Sequence, residues 1–225
     1  MKEGSSVRRI SAIVVFVALA ALMPVVGTAQ QATPPPGASA PGPEACRVAP
    51  LSPEAMLSVL ATPAAEPGAE ATDVPAPGGQ RTVASEDEFP TGEPADAATA
   101  EAVTAVENEV VACLNARDVF RLFSLMSDDL VRGLSAELGL ETRSTEDLAT
   151  AAAAVPTPVP EGAREVVLEI RDARVLPDGR VGVVVVEDLL DDEEGPRTSL
   201  VVFVQTAERW LLDAIIRVEP EATEP

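Results

Sequence analysis

The chain has 225 residues and carries 37 acidic against 16 basic side chains, a formal net charge of −21. Such a surface repels phosphates and anionic headgroups, which excludes nucleic acid as a partner. There is no His and no Tyr. The commonest general base, the commonest metal ligand and the phenolic acid are thereby removed, and neither a metal nor another cofactor is expected.

The N-terminus reads as an export signal. Lys2, Arg8 and Arg9 precede an apolar run from Ile10 to Val26, interrupted by Ser11 and Pro24. Gly27-Thr28-Ala29 then supplies small residues, so residues 1–29 are expected to be a signal peptide cleaved after Ala29. The alternative is an uncleaved anchor, because the run approaches the length of a membrane span. Membrane association is expected in that case alone. Either way the remainder lies outside the cytoplasm, secreted or tethered. Cys46 lies too far downstream to be lipidated. In an oxidising compartment Cys46 and Cys113, the two cysteines of the chain, are expected to form a disulfide, with two free thiols as the alternative.

Residues 30–97 hold much of the chain's Pro and Gly, with few large apolar residues. They read as a disordered linker, since they bury too little surface to offset the chain entropy lost on folding. An island at 46–61 stands apart. Ser52 suits an N-cap and Pro53 the first helical position, and Met56, Leu57, Val59 and Leu60 make one short apolar face. This segment reads as a helical clip tied to Cys113.

Residues 98–218 read as the folded domain, followed by a disordered tail at 219–225. Asp96 caps a helix from about Ala98 to Ala116, whose stripe of Val103, Val106, Val110, Cys113 and Leu114 faces the core. Glu101, Glu107 and Glu109 are expected elsewhere, on the surface. Asp118 caps a second, largely buried helix from Val119 to Met126, which Ser127-Asp-Asp129 ends. Ser144 caps a third at Thr145–Ala154, closed by the prolines from Pro156 to Pro160.

Four strands follow, at Glu165–Leu176, Arg180–Leu190, Thr198–Thr206 and Arg209–Val218. In the first turn, Leu176-Pro-Asp-Gly-Arg180, Pro177 presets φ and Gly179 accepts a positive one. In the last strand Trp210, Leu212, Ala214 and Ile216 alternate with Leu211, Asp213, Ile215 and Arg217, which predicts one apolar and one mixed face. Val183–Val186 and Leu200–Val204 are apolar on both faces, so something covers the second face, either this chain or another subunit. The fold class expected is α+β, three helices on a curved antiparallel four-stranded sheet.

Two stretches carry a family resemblance. Leu114-Asn-Ala-Arg-Asp-Val-Phe-Arg-Leu-Phe-Ser-Leu-Met-Ser-Asp-Asp-Leu130 and Leu200-Val-Val-Phe-Val-Gln-Thr-Ala-Glu-Arg-Trp-Leu-Leu-Asp213 resemble the turn, second helix and last two strands of the nuclear transport factor 2-like superfamily. That superfamily includes the SnoaL-like and ketosteroid-isomerase-like families. The resemblance spans 98–218 and implies a cystatin-like cone with an apolar pocket, here lined by Phe120, Phe123, Met126, Trp210 and Leu212. It does not imply a reaction.

An enzyme of that type needs an acid or base in the cone. Asp213 is the weak candidate, although its parity opposite to Trp210 points it outward. Asp128 and Asp129 read as turn and capping residues more than as a carboxylate pair. A hydrolase-like set of Asp172, Arg174 and Asp213 can be imagined, but the spacing does not demand it. Asp188, Asp191, Asp192, Glu193 and Glu194 read as a solvated hairpin tip, with weak cation binding as the alternative. The preferred expectation is an exported non-catalytic domain that binds a small apolar ligand or a protein. The alternatives are an extracytoplasmic isomerase, cyclase or hydrolase using a pocket carboxylate, and a structural module that forms a homodimer through its sheet.

Overall fold

The computed structural model describes residues 40–62, 74–189, 195–207 and 209–219. The expected signal segment lies outside them, as do Asp191, Asp192, Glu193 and Glu194. The described residues form an α+β domain built on a curved, unclosed sheet of six strands. They hold five α-helices rather than three, and six strands rather than four.

The clip is helix α1, Pro53–Ala61, with Ser52 Oγ accepting from the Ala55 amide (3.1 Å) and Pro53 in its first turn. Asp96 caps α2, Ala97–Ala116, by accepting from the Thr99 amide (2.8 Å). Asp118 caps α3, Val119–Ser124, in the same way, accepting from the Arg121 amide. Ser127-Asp-Asp129 does not simply end a helix; it begins α4, Asp128–Glu137. Ser127 Oγ accepts from the Leu130 amide, and the two aspartates lie in the first turn, where the helix dipole favours negative charge. Helix α5, Thr145–Ala153, opens with a capping box between Ser144 and Asp147.

The linker is partly folded, contrary to expectation. Within the stretch expected to be disordered, Gln80–Val83 forms β1 and Glu93–Pro94 forms β2. The meander follows as β3 (Glu165–Val175), β4 (Val181–Leu189), β5 (Arg197–Gln205) and β6 (Trp210–Val218). Strand order is β1-β6-β5-β4-β3-β2, with β1 parallel to β6 and the other neighbours antiparallel. The turn between β3 and β4 has Gly179 at φ 86°, as its sequence requires.

Two cores lie on the two faces of the sheet. The helix-side core joins Cys46, Met56, Val103, Val110, Cys113, Phe123 and Leu130 to Val183, Val201 and Phe203. The second joins Val74, Val83 and Phe89 to Leu176, Val184, Leu200, Val202, Ala214 and Ile216. The sheet's second face is therefore covered by this chain's own residues 74–89. Among the described residues Val155 and Val175 are the large apolar side chains left exposed.

The face pattern of β6 also differs from the one expected. Val202 pairs with Ala214 but Phe203 pairs with Leu212, so Asp213 is an extra, bulged residue. Trp210 and Leu212 pack into the helix-side core, whereas Ala214 and Ile216 pack into the second. The bulge splits the alternation that the sequence suggested. Its outer edge is closed twice over. The Leu212 amide donates to Leu125 O (2.9 Å) and Ser127 N to Leu212 O (2.8 Å), while Gly78 N donates to Asp213 O (2.9 Å). Beyond that point β1 completes the edge.

Candidate functional site

The expected pocket residues do come together, but as packing. Phe120, Phe123, Met126 and Leu212 are buried in one contiguous core, and Trp210 is half-buried against it. Side chains with so little accessible surface face neither solvent nor an internal void of useful size. This part of the interior is filled by the domain itself.

Cys46 and Cys113 form a disulfide (S–S 2.04 Å) whose two residues are almost fully buried. It fastens the clip to α2. Arg121 Nη1 donates to Cys46 O (2.9 Å), and Glu109 Oε1 accepts from the amides of Arg47 and Val48. Glu109, expected at the free surface, thus pins the clip. The disulfide is consistent with a location outside the reducing cytoplasm. No helix among the described residues is long and apolar enough to cross a membrane.

Asp213 is buried rather than solvated, at 3% exposure. Its Oδ2 accepts from Arg180 Nη1 at 2.6 Å, and Arg180 also donates to Asp178 Oδ2 and to Pro75 O. This neutralised carboxylate holds the bulge and the 74–79 segment together. Asp172 lies on the other side of the meander, in a β3 bulge at φ 55°, and pairs with Arg171 and Arg174 on the exposed surface. The Asp172–Arg174–Asp213 set is therefore not assembled. Asp129 pairs with Arg132, one turn on in α4.

Sequence reasoning missed the carboxyl group that the fold buries most completely outside that pair. Glu107 on α2 is 3% exposed. It lies four residues after Val103 and three before Val110, both buried, so it belongs to the helix's core stripe. That spacing was legible; charge alone argued against it. Strand register brings two more glutamates to the same seam. Glu187 on β4 stands opposite Val167, and Glu165 lies two residues before Val167 on the same face. Arg197 stands opposite Glu187, and Arg217 opposite Ser199, two residues further along β5.

The three glutamates lie close enough to influence one another's protonation. Burial is the main cause of their raised pKa values, about 7 for Glu107 and about 8 for Glu165 and Glu187. Neighbouring carboxylates push in the same direction, and Arg197 and Arg217 oppose them at Glu165. Burial lowers the Arg217 pKa, and its Nη1 donates to Gln80 Oε1 on β1 (2.8 Å). Glu107 Oε2 is buried and has no hydrogen-bond partner. The arrangement can hold protons near neutrality. It does not form a metal site: among the described residues no group of three or more His, Cys, Asp or Glu could hold a metal ion.

A shallow groove of about 390 Å³ lies elsewhere, lined by Thr91, Gly92, Glu93, Val175, Leu176 and Pro177. It is an open surface feature at the β2–β3 edge, away from the glutamates. No family model matches this chain, and no curated protein and no solved structure matches it.

Proposed function

We propose that this chain is an exported, non-catalytic recognition domain of the nuclear transport factor 2-like kind, which binds a protein partner. One observation carries the reading. The side chains that would line an open pocket, Phe120, Phe123, Met126 and Leu212, are packed into the core, and Asp213 is neutralised by Arg180. With that part of the interior filled, recognition falls to the outer surface. A formal charge of −21 suits a partner with a basic face.

Cross-linking of the full chain in its native compartment tests this. The expected result is reproducible cross-links to one basic protein, lost as ionic strength rises. A stoichiometric apolar molecule retained in native mass spectra would overturn it.

A second reading, an isomerase, cyclase or hydrolase, is favoured by the carboxyls of Glu107, Glu165 and Glu187, because raised carboxyl pKa values suit acid–base work. Turnover of an epoxide, ester or enolisable ketone that Glu187→Gln abolishes, in a protein that still folds, would establish it in place of the first.

A further inference from the structure

Between α5 and the 3-10 turn Glu161–Ala163 the chain reads Val155-Pro-Thr-Pro-Val-Pro160. Pro156 alone would end α5, so Pro158 and Pro160 serve something else. Every residue of this run is either a proline or the residue before one. The ring fixes φ at about −65° in the first case and confines the second to extended conformations. The ends of the run are accordingly polyproline II, with Ala154 at φ −69°, ψ 137° and Pro160 at φ −55°, ψ 145°. Both ends are also tied to the domain. Leu148 anchors α5 in the helix-side core, Val159 N donates to Asn115 O (2.8 Å), and Arg164 Nε donates to Val159 O (3.4 Å).

Residues 149–158 are all exposed, and Val155 is 90% exposed. A single exposed valine is ordinary on a protein surface; the setting of this one is not. Polyproline II has three residues per turn, so positions three apart share an edge. Val159 is half-buried, which turns the edge it shares with Pro156 toward the domain. Val155 with Pro158, and Thr157 with Pro160, then form the two outward edges. Three prolines leave three amides missing, so this segment cannot add to another protein's sheet as a strand, and it has no helical face to offer. A rigid apolar ridge of this kind fits a groove walled by aromatic rings.

We propose that Ala154–Pro160 is a preformed polyproline II ligand, whose Val155–Pro158 edge docks in an aromatic-lined groove of a partner protein. This rests on the reading of the chain as a binder of a protein partner and assigns the surface used. Because both ends of the segment are held and its φ angles are fixed by the rings, docking orders little that is not already ordered. Glu161, exposed beside Pro160, and the formal charge of −21 favour a groove with a basic rim.

Site-specific photo-cross-linking of the full chain in its native compartment tests the assignment. A photoreactive phenylalanine analogue is placed at Thr157, beside the docking edge, and in a second sample at Glu101, on the exposed side of α2. The Thr157 sample is expected to cross-link the same basic protein that chemical cross-linking captures, at a peptide containing Trp, Tyr or Phe, and the Glu101 sample is not. Val155→Ser with Pro158→Ala should lower that yield at least about tenfold, the effect of losing one buried apolar anchor. Both positions are exposed, so the melting temperature should stay at the parent's value. A partner captured chemically but not from Thr157, or captured equally by the double variant, would overturn this assignment and leave the partner reading standing. A chain that cross-links no protein by either chemistry would overturn both.

Discussion

Arg180 and Asp213, 33 residues apart, meet at 2.6 Å with both residues less than a tenth exposed. Each is the other's charge partner where water cannot substitute. A buried ion pair is weak evidence of net stability, but removing one partner is costly because the remaining charge is stranded. Asp213→Ala is expected to destabilise the domain by about 3–5 kcal/mol. Asp213→Ala combined with Arg180→Met should recover part of that loss. Urea unfolding of the single and double variants measures both. A double variant as unstable as the sum of the singles would refute the coupling.

The Cys46–Cys113 disulfide closes a long loop, with a sequence separation of 67. The chain-entropy relation gives about 4 kcal/mol for a loop of that length. Cys46→Ala with Cys113→Ala should lower the melting temperature, and trypsin should then cut at Arg47, whose amide Glu109 otherwise holds. An unchanged melting temperature would mean that packing of Met56 and Val59 alone seats the clip.

The buried glutamates make stability depend on pH with a definite sign. Glu107, Glu165 and Glu187 bind protons more tightly folded, at about 7 to 8, than at the ordinary 4.5. Between those limits the folded chain holds more protons than the unfolded one. Stability from these groups is therefore full below about pH 4.5 and declines as pH rises through 8, by about 1.4 kcal/mol per pH unit for each extra proton held. Urea midpoints at pH 5.5, 7 and 8.5 should fall in that order. Glu107→Gln should be more stable than the parent at pH 8.5. A midpoint that climbs with pH would contradict the assignment.

Two glycines mark where the 74–94 segment presses on the rest of the domain. A Cβ at Gly92 would lie 2.2 Å from Val175 O, and one at Gly78, where φ is 71°, would lie 2.5 Å from the Asp129 backbone. Gly92→Ala and Gly78→Ala should each cost about 1–3 kcal/mol and release the segment from the sheet. Limited proteolysis at Arg81 reports that release. Resistance equal to the parent's would show that the contacts adjust.

Much of the framework was legible in local chemistry. Asp96, Asp118, Ser144 and Ser52 cap the helices that their positions announced, and Pro177-Asp-Gly179 turns the chain between β3 and β4. Ser127-Asp-Asp129 was ambiguous because the same residues can close one helix or cap the next. Gly133 and Ser135 in the following turns weaken the helical pattern that Leu130, Leu134 and Leu138 carry.

Sequence by itself determined the strand runs of the meander, the starts of α1, α2, α3 and α5, the pairing of the two cysteines and the acidic balance, since each rests on residues adjacent in the chain or on composition. Tertiary structure decided the rest. β1 has no pattern of its own in Gln80-Arg-Thr-Val83 and exists because the edge of β6 offers unpaired backbone groups. The bulge at Asp213 depends on Arg180, Gly78 and Leu125, residues distant in sequence that converge on one edge. Glu107 became a buried acid because its stripe of α2, with Val103 and Val110, packs into the domain. Such long-range electrostatic and edge-pairing choices are settled by which surfaces meet, and that is information no local window holds.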